Sequence, residues 1–517
     1  MVSNSDEPPS LPETIPYITN TYQVVLHTSA FLRRLKTALD GTNNGKGIIK
    51  YNLGGPFKSV YIVARGEKNI QAFLRGSRDL DSEPFIHMGM ENLWGFSKKD
   101  ADKFKNDSSG RLKNPNPLSG TTGTRYWAGM HQLYDEFLTK PHHANALSHK
   151  FLEVFNDRLE NQFTVGKWTE TSVVAFMKEH MFQASMTALF GTERLKIAPE
   201  THGLYWVYEA YAWHFFYGVP RWMFPSAYKA RDELYAAGKK YLDAAWKNFD
   251  WNGQEDWEPH FGSRFARETA RWMREAAGFD EKTQAGFFTL LLFALHSNTL
   301  PTCTWMLIYL CKDPELFQAV REEALSAYYS QDEGTGRPKE IDVGKLVMLP
   351  LLQSVFAETL RLHMSFTNIR EARKDMVFDG YKIKKGSWMQ AFTGISHREE
   401  AVWGREGHPA DEFWVGRHLT WSENDGKQVP QFSIAGKGGD FYPFGGGTGM
   451  CPGRHFAKQE ALVALAAIVT RFDVEFVEWT NQDGSKSDRE ARGDEKFAGA
   501  GTMPADRDMK IRWKRLW

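Results

Sequence analysis

Cysteine is nearly absent from this chain. Cys303, Cys311 and Cys451 are the only three in 517 residues. No two stand in Cys-x-x-Cys spacing, which argues against a structural zinc site and a disulfide framework and fits a reducing compartment. Cys303 and Cys311 fall in one apolar run and read as core residues. Net charge is also missing. The 64 basic and 64 acidic residues cancel, which argues against a nucleic-acid partner. The N-terminus shows neither a signal peptide nor an apolar span of about 20 residues. No Pro/Ser/Gly-rich linker and no internal repeat divides the chain. Aromatic residues are plentiful instead. Eighteen Trp and 36 Phe imply a large aromatic interior around an apolar pocket.

One long stretch lacks charge altogether, from Thr283 to Cys311. It is long enough to cross a bilayer. Against that, His296, Ser297, Asn298 and Thr299 stand together in its middle, where lipid would penalise them. Pro301 interrupts the next turn, and no basic cluster or aromatic belt brackets the ends. The stretch reads as a helix in the core of a large protein.

Near the C-terminus a glycine-rich loop runs from Phe441 to a cysteine, Cys451, and then into an alanine-rich helix from His455 to Val469. Pro452 suits the first turn of that helix. Cys451 therefore reads as a helix-N-terminal cysteine, where the dipole and free N–H groups favour a thiolate. The glycines let a flat cofactor approach the backbone. Cys-Pro-Gly alone is as consistent with a turn and an incidental cysteine. The longer pattern is more specific: Phe444, Gly447, Cys451 and Gly453 fit Phe-x-x-Gly-x-x-x-Cys-x-Gly. This resembles the haem-binding loop of the cytochrome P-450 superfamily, in which the cysteine thiolate is the axial ligand of haem iron. The resemblance implies haem b held by Cys451, with Phe444, Gly445 and Gly453 against it. One position departs. Gly449 stands where the family has an arginine or histidine for a haem propionate.

Other segments follow the same family order. Trp127 and His131 share a helix face and match Trp-x-x-x-Arg, whose members touch the propionates; a surface histidine beside a core tryptophan is the other reading. Arg370 matches a propionate-binding residue. Glu358 and Arg361 form Glu-x-x-Arg in apolar surroundings, and Arg417 completes the family's structural triad, although Val415 and Gly416 depart from its stretch. A buried pair of this kind needs further hydrogen bonds. Phe366, Thr367, Gly501 and Thr502 match the turns that line the substrate pocket. His296 stands as a pocket candidate or a core histidine. In the central helix the family has an acid and an alcohol that carry protons to dioxygen. Here Ser297, Asn298 and Thr299 stand there, and Asn298 is similar to the branch holding sterol 7α-hydroxylase and prostacyclin synthase. Two reactions therefore stay open. One is monooxygenation of a large hydrophobic molecule such as a sterol, terpenoid or polyketide. The other is isomerisation or dehydration of a peroxide or oxygenated substrate without dioxygen or reductase.

The resemblance implies a mainly α cytochrome P-450 fold with a smaller N- and C-terminal β region, residues 17–517 forming one domain. It implies electrons from NADPH through NADPH–cytochrome P-450 reductase. Residues 1–16 resemble the Pro-rich hinge that follows a membrane anchor, here trimmed. That places the protein on the cytosolic face of the endoplasmic reticulum membrane, with a cytoplasmic protein as the alternative. Locally, the patterns predict a helix over 17–40, a strand at Val60–Ala64, a loop over the haem at 96–124 and helices through 145–275. The aromatic run from Trp206 to Phe216 would roof the pocket. Beyond it the patterns predict a helix over 352–362 and a hairpin turning at Asp379-Gly380.

Overall fold

The computed structural model describes residues 7–41, 47–54, 58–63, 66–76, 79–115, 123–253, 256–330, 340–424 and 427–517. Residues 1–6 of the expected hinge and 116–122 of the expected loop lie outside them. About 55% of the chain is helical and the sheets are small. The helix Arg454–Arg471 runs through the middle of the main apolar core, with every residue from Glu460 to Arg471 buried. Alanines at 461, 464, 466 and 467 leave it thin enough for several helices to pack around it. Pro141–Gln162, Thr299–Lys312, Pro314–Leu325 and Pro350–His363 are its neighbours.

The larger sheet has six strands. Ile48–Leu53 pairs with Lys58–Val63, which runs parallel to Trp388–Phe392; that strand is antiparallel to Met364–Ala372, whose end pairs with Ala500–Thr502. Leu80–Asp81 joins at the far end of Met364–Ala372. A second sheet orders Phe472–Thr480, Asp508–Arg515 and Trp168–Ser172. The Phe378–Tyr381 hairpin forms as expected. Asp379 and Gly380 take φ of 48° and 84°, the two left-handed residues that a tight hairpin turn requires.

Three expectations need correction. The 17–40 segment is two helices, Thr19–Leu26 and Thr28–Asp40. They break at His27, where the Trp213 indole N–H reaches both the Val24 carbonyl and the Thr28 hydroxyl. The 96–124 segment contains the helix Lys98–Asn106. The segment is polar and glycine-rich, which reads as loop, but Ser97 caps this helix by accepting from the Asp100 N–H, and Ala101 and Phe104 bury one face. The uncharged run is two helices, Glu281–His296 and Thr299–Lys312. Among the described residues no helix is long and apolar enough to cross a membrane.

Candidate active site

The cysteine loop is shaped by its glycines at one close approach above all. At Gly447 (φ 61°) a Cβ would fall 2.1 Å from the Leu74 carbonyl oxygen, so no side chain fits. Gly445 also has a left-handed φ of 71°. Phe444 lies against Phe356, and its carbonyl accepts the Cys451 N–H at 2.9 Å. The helix after the cysteine begins at Arg454 with Gly453 as its cap, so Pro452 belongs to the turn before the helix rather than to its first turn.

Cys451 is exposed, unlike Cys303, which is buried, and Cys311, which is half-buried. Protein nevertheless crowds its thiol, and that burial raises the pKa against the pull of the Gly453 and Arg454 N–H groups and the Arg454 charge. The expected thiolate is therefore not a property of the bare loop. Coordination to a cation would supply it, since a coordinating thiol loses its proton.

Two basic side chains reach the loop, and a third, His131, feels the charge of one of them. Arg370 is buried on the Met364–Ala372 strand and donates to the Phe73 and Gly446 carbonyls, both at 2.9 Å. Its Nη2 lies 3.8 Å from where a Gly449 side chain would begin, so Arg370 fills in space the basic position that Gly449 leaves empty in sequence. Arg111 donates to the Thr448 carbonyl at 3.5 Å and the Ser82 hydroxyl at 3.1 Å, and its guanidinium lies 5.1 Å from the Trp127 ring centre. It pairs with Glu83 at 3.4 Å. Burial and the Arg111 charge lower the Arg370 pKa to about 10, and the same two causes lower that of His131 to about 4. His131 is thus neutral at pH 7 and offers no cation. Trp127 is also otherwise engaged, its indole N–H bonded to the Phe104 carbonyl at 2.8 Å. Of the expected Trp127–His131 pair, Trp127 serves as a platform under Arg111. Sequence reasoning missed Arg111, which sits in a polar stretch with no motif to mark it. Two mutually repelling cations held against a glycine-rich loop fit a flat, dianionic cofactor, and a haem meets that description.

A second group of expected site residues lies at the break between the two central helices. Asn298 leaves the helical path with φ −114°. Pro301 has no N–H, so the Ser297 carbonyl loses its helical partner. Asn298 is held elsewhere. Its Oδ1 accepts the Thr502 N–H at 2.9 Å, and its Nδ2 points to the Ser297 hydroxyl at 3.4 Å. A Cβ at Gly501 would sit 2.4 Å from that Oδ1. The Thr302 hydroxyl donates to the Asn298 carbonyl at 2.7 Å and lies 3.4 Å from that of Thr502. The structure thus brings Ser297, Asn298, Thr299, Gly501 and Thr502 together. Thr367 joins through its N–H, which donates to the Gly499 carbonyl at 3.0 Å, and the Phe366 ring beside it is exposed. His296 does not join them. It is buried, stacked on Phe182 at 4.2 Å and edge-on to Tyr205 at 5.5 Å, and burial holds it neutral. The pocket candidate is a core histidine.

The expected triad forms and is larger than expected. Arg361 grips the Glu358 carboxylate with two bonds of 2.8 Å, and Arg417 adds one at 2.9 Å. His418 at 3.1 Å and the Trp414 N–H at 3.1 Å complete the shell. Burial alone would raise the Glu358 pKa, but the Arg361 and His418 hydrogen bonds outweigh it and hold the group at about 2. Arg361 also donates to the carbonyls of His397, Ala410 and Glu412. The His397 ring in turn accepts the Tyr442 N–H at 3.0 Å. The triad therefore reaches the start of the cysteine loop through one residue.

Comparison with known proteins gives the family. The cytochrome P450 family model matches residues 141–489. The chain is 43% identical to cytochrome P450 monooxygenase calL of Penicillium decumbens, over all of this chain and 94% of that one. It is 28% identical to cytochrome P450 monooxygenase fsoE of Humicola fuscoatra, over 98% and 87%. It is 28% identical to cholesterol 7-alpha-monooxygenase of Cricetulus griseus, over 67% and 66%. With a family match over more than half its length and a full-length relative at that identity, the chain belongs to the cytochrome P450 family and is an oxidoreductase.

Proposed function

We propose that the protein is a haem-thiolate monooxygenase of one catalytic unit, residues 17–517, acting on a large hydrophobic molecule of sterol, terpenoid or polyketide type. The observation that carries this reading is the full-length likeness to calL, a monooxygenase by name. Bound through Cys451, haem supplies the thiolate-ligated iron at which dioxygen is reduced. Electrons come from NADPH through a separate reductase. Ser297, Asn298 and Thr299 would supply the protons that dioxygen chemistry needs. With Oδ1 committed to Thr502, Asn298 acts through its NH2 group, and the Ser297 carbonyl freed by Pro301 accepts. A water held between these two groups would be oriented to give one proton inward while taking one up from solvent water behind it. Arg370 and Arg111 hold the propionates, with Gly445 and Gly453 against the cofactor. Phe366, Thr367, Gly501 and Thr502 line the substrate pocket.

The deciding assay compares turnover of a sterol or terpenoid panel with and without reductase and NADPH, under air and under argon. Product should require reductase, NADPH and air together. Turnover under argon without reductant would establish the isomerase or dehydratase alternative instead. Asn298→Ala should divert several-fold more NADPH into hydrogen peroxide, and Gly501→Ala should do the same by displacing Asn298. Coupling unchanged in both would remove the proton-delivery role.

Haem retention tests the propionate assignment. Charge-assisted hydrogen bonds contribute about 1.5–3 kcal/mol each. Arg111→Ala should therefore speed haem transfer to apomyoglobin by roughly one to two orders of magnitude, while His131→Ala leaves the rate within twofold. The reverse order would restore His131 to the site.

We further propose that the protein works on the cytosolic face of the endoplasmic reticulum membrane. In support, Ile15, Tyr17, Ile18 and Tyr22 are exposed at the N-terminal helix, and Trp222 and Met223 are exposed in the turn after the Ala212–Phe216 helix. Trp213 ties those two regions together. Vesicle flotation of the protein, lost on Ile18→Asp with Trp222→Asp, is the check.

A further inference from the structure

Beside the Ala500–Thr502 strand lies a cleft of about 450 Å³, the size of a small-molecule site. It is separate from the residues gathered at Asn298 and Cys451. Leu32, Trp305, Ile308, Leu362 and Met503 give it an apolar floor. His363 stacks on Trp305 at 3.8 Å, shares a 2.8 Å hydrogen bond with the Tyr309 hydroxyl through Nε2, and leaves a buried Nδ1 without a partner. Cations crowd the walls. Arg33, Lys312 and Arg398 are neutralised by Glu495, Glu490 and Asp411. Lys36 and Arg492 line the same cleft and make no ion pair among the described residues. An apolar floor under two unmatched positive charges is complementary to an amphipathic anion.

The cleft is joined to the central helix break through consecutive residues. The Met503 carbonyl accepts the Trp305 indole N–H at 2.8 Å, and the Met503 N–H donates to the His363 carbonyl at 2.9 Å. The preceding Thr502 N–H holds Asn298. A molecule that moves Trp305 or Met503 must strain the bond that positions Asn298.

We propose that this cleft is a second ligand site, for an organic anion with an apolar body and a carboxylate head, and that its occupancy is felt at the haem pocket. Lys36 and Arg492 take the head; Trp305 and Met503 take the body. The second half of the proposal rests on the haem-thiolate reading above; the first half does not.

The test is calorimetric titration of the ferric holoenzyme with dodecanoate, the haem pocket being saturated with an azole. One site should be filled with the azole present. Lys36→Glu with Arg492→Glu should weaken binding more than about tenfold, equivalent to about 1.4 kcal/mol, with the haem absorption spectrum unchanged. Ser29→Trp, which fills the cleft without touching its charge, should do likewise. Dodecanoate binding that disappears when the azole is present overturns the site, as does wild-type affinity in both variants. Saturating dodecanoate should also change azole affinity by about fivefold or more, with the reciprocal effect of azole on dodecanoate. Unchanged azole affinity overturns the coupling. Failure of the haem-thiolate reading shows separately, as a missing thiolate-type carbon monoxide spectrum.

Discussion

Glu358→Gln should cost the protein about 3–5 kcal/mol, the range seen when one partner of a buried ion pair is removed, and most of the variant should be recovered without haem. Glutamine keeps the shape and loses the charge, so Arg361 and Arg417 are left as two guanidinium groups with no side-chain exposure and no counter-charge. An apolar double replacement at 358 and 361 would not restore stability. Arg361 also satisfies the carbonyls of His397, Ala410 and Glu412, and those would be stranded. The pH dependence has a definite sign. Glu358 titrates near 2 in the fold against an ordinary 4.5, so the unfolded chain takes up its proton first. Its contribution is complete above about pH 4.5 and is lost as pH falls towards 2. Denaturant melts across that window should show a steeper acid loss in the wild type than in Glu358→Gln. Equal slopes, or a variant as stable as the parent at pH 7, would end this account of the triad.

What was legible in the sequence divides by range. The cysteine loop, Glu-x-x-Arg and the Asp379-Gly380 turn are local patterns in which neighbours in sequence do the work, and the structure forms each of them, with Pro452 moved from the helix's first turn to the turn before it. Arg111 was invisible because its role depends on Trp127, Thr448 and Arg370, which only the fold assembles. His418 was missed beside Arg417 for the same reason. Asn298 was found, but its partner was not. A side-chain amide in a helix break reads naturally as a ligand for water, and only the packing of Gly501 against it reveals the bond to Thr502. His296 went the other way. Standing next to Ser297, it invited a place in the pocket, but a helix turns about 100° per residue, and its ring ends against Phe182 and Tyr205.

Cys451→Ser should abolish the thiolate-type carbon monoxide spectrum of the reduced protein and bring turnover to background, while the fold survives. The loop asks little of the side chain itself. Its anchors are backbone bonds, the N–H donating to the Phe444 carbonyl and the carbonyl accepting from Arg454 Nη1 at 3.0 Å; serine keeps both, and the shape of the turn comes from Gly445 and Gly447. Melting of the apoprotein should therefore move by no more than about 0.5 kcal/mol, the usual range for a substitution that breaks no packing or hydrogen bond. Nor can another cysteine take over. Burial raises the thiol pKa of Cys303 well above its ordinary value and that of Cys311 to about 12, and both sit on the Thr299–Lys312 helix rather than in the loop. A thiolate spectrum that persisted in the variant would therefore remove the loop from the reaction altogether. Loss of the spectrum together with loss of the apoprotein fold would mean that the cysteine is structural. The expected pairing, spectrum lost and apoprotein intact, is the one that only an axial ligand produces.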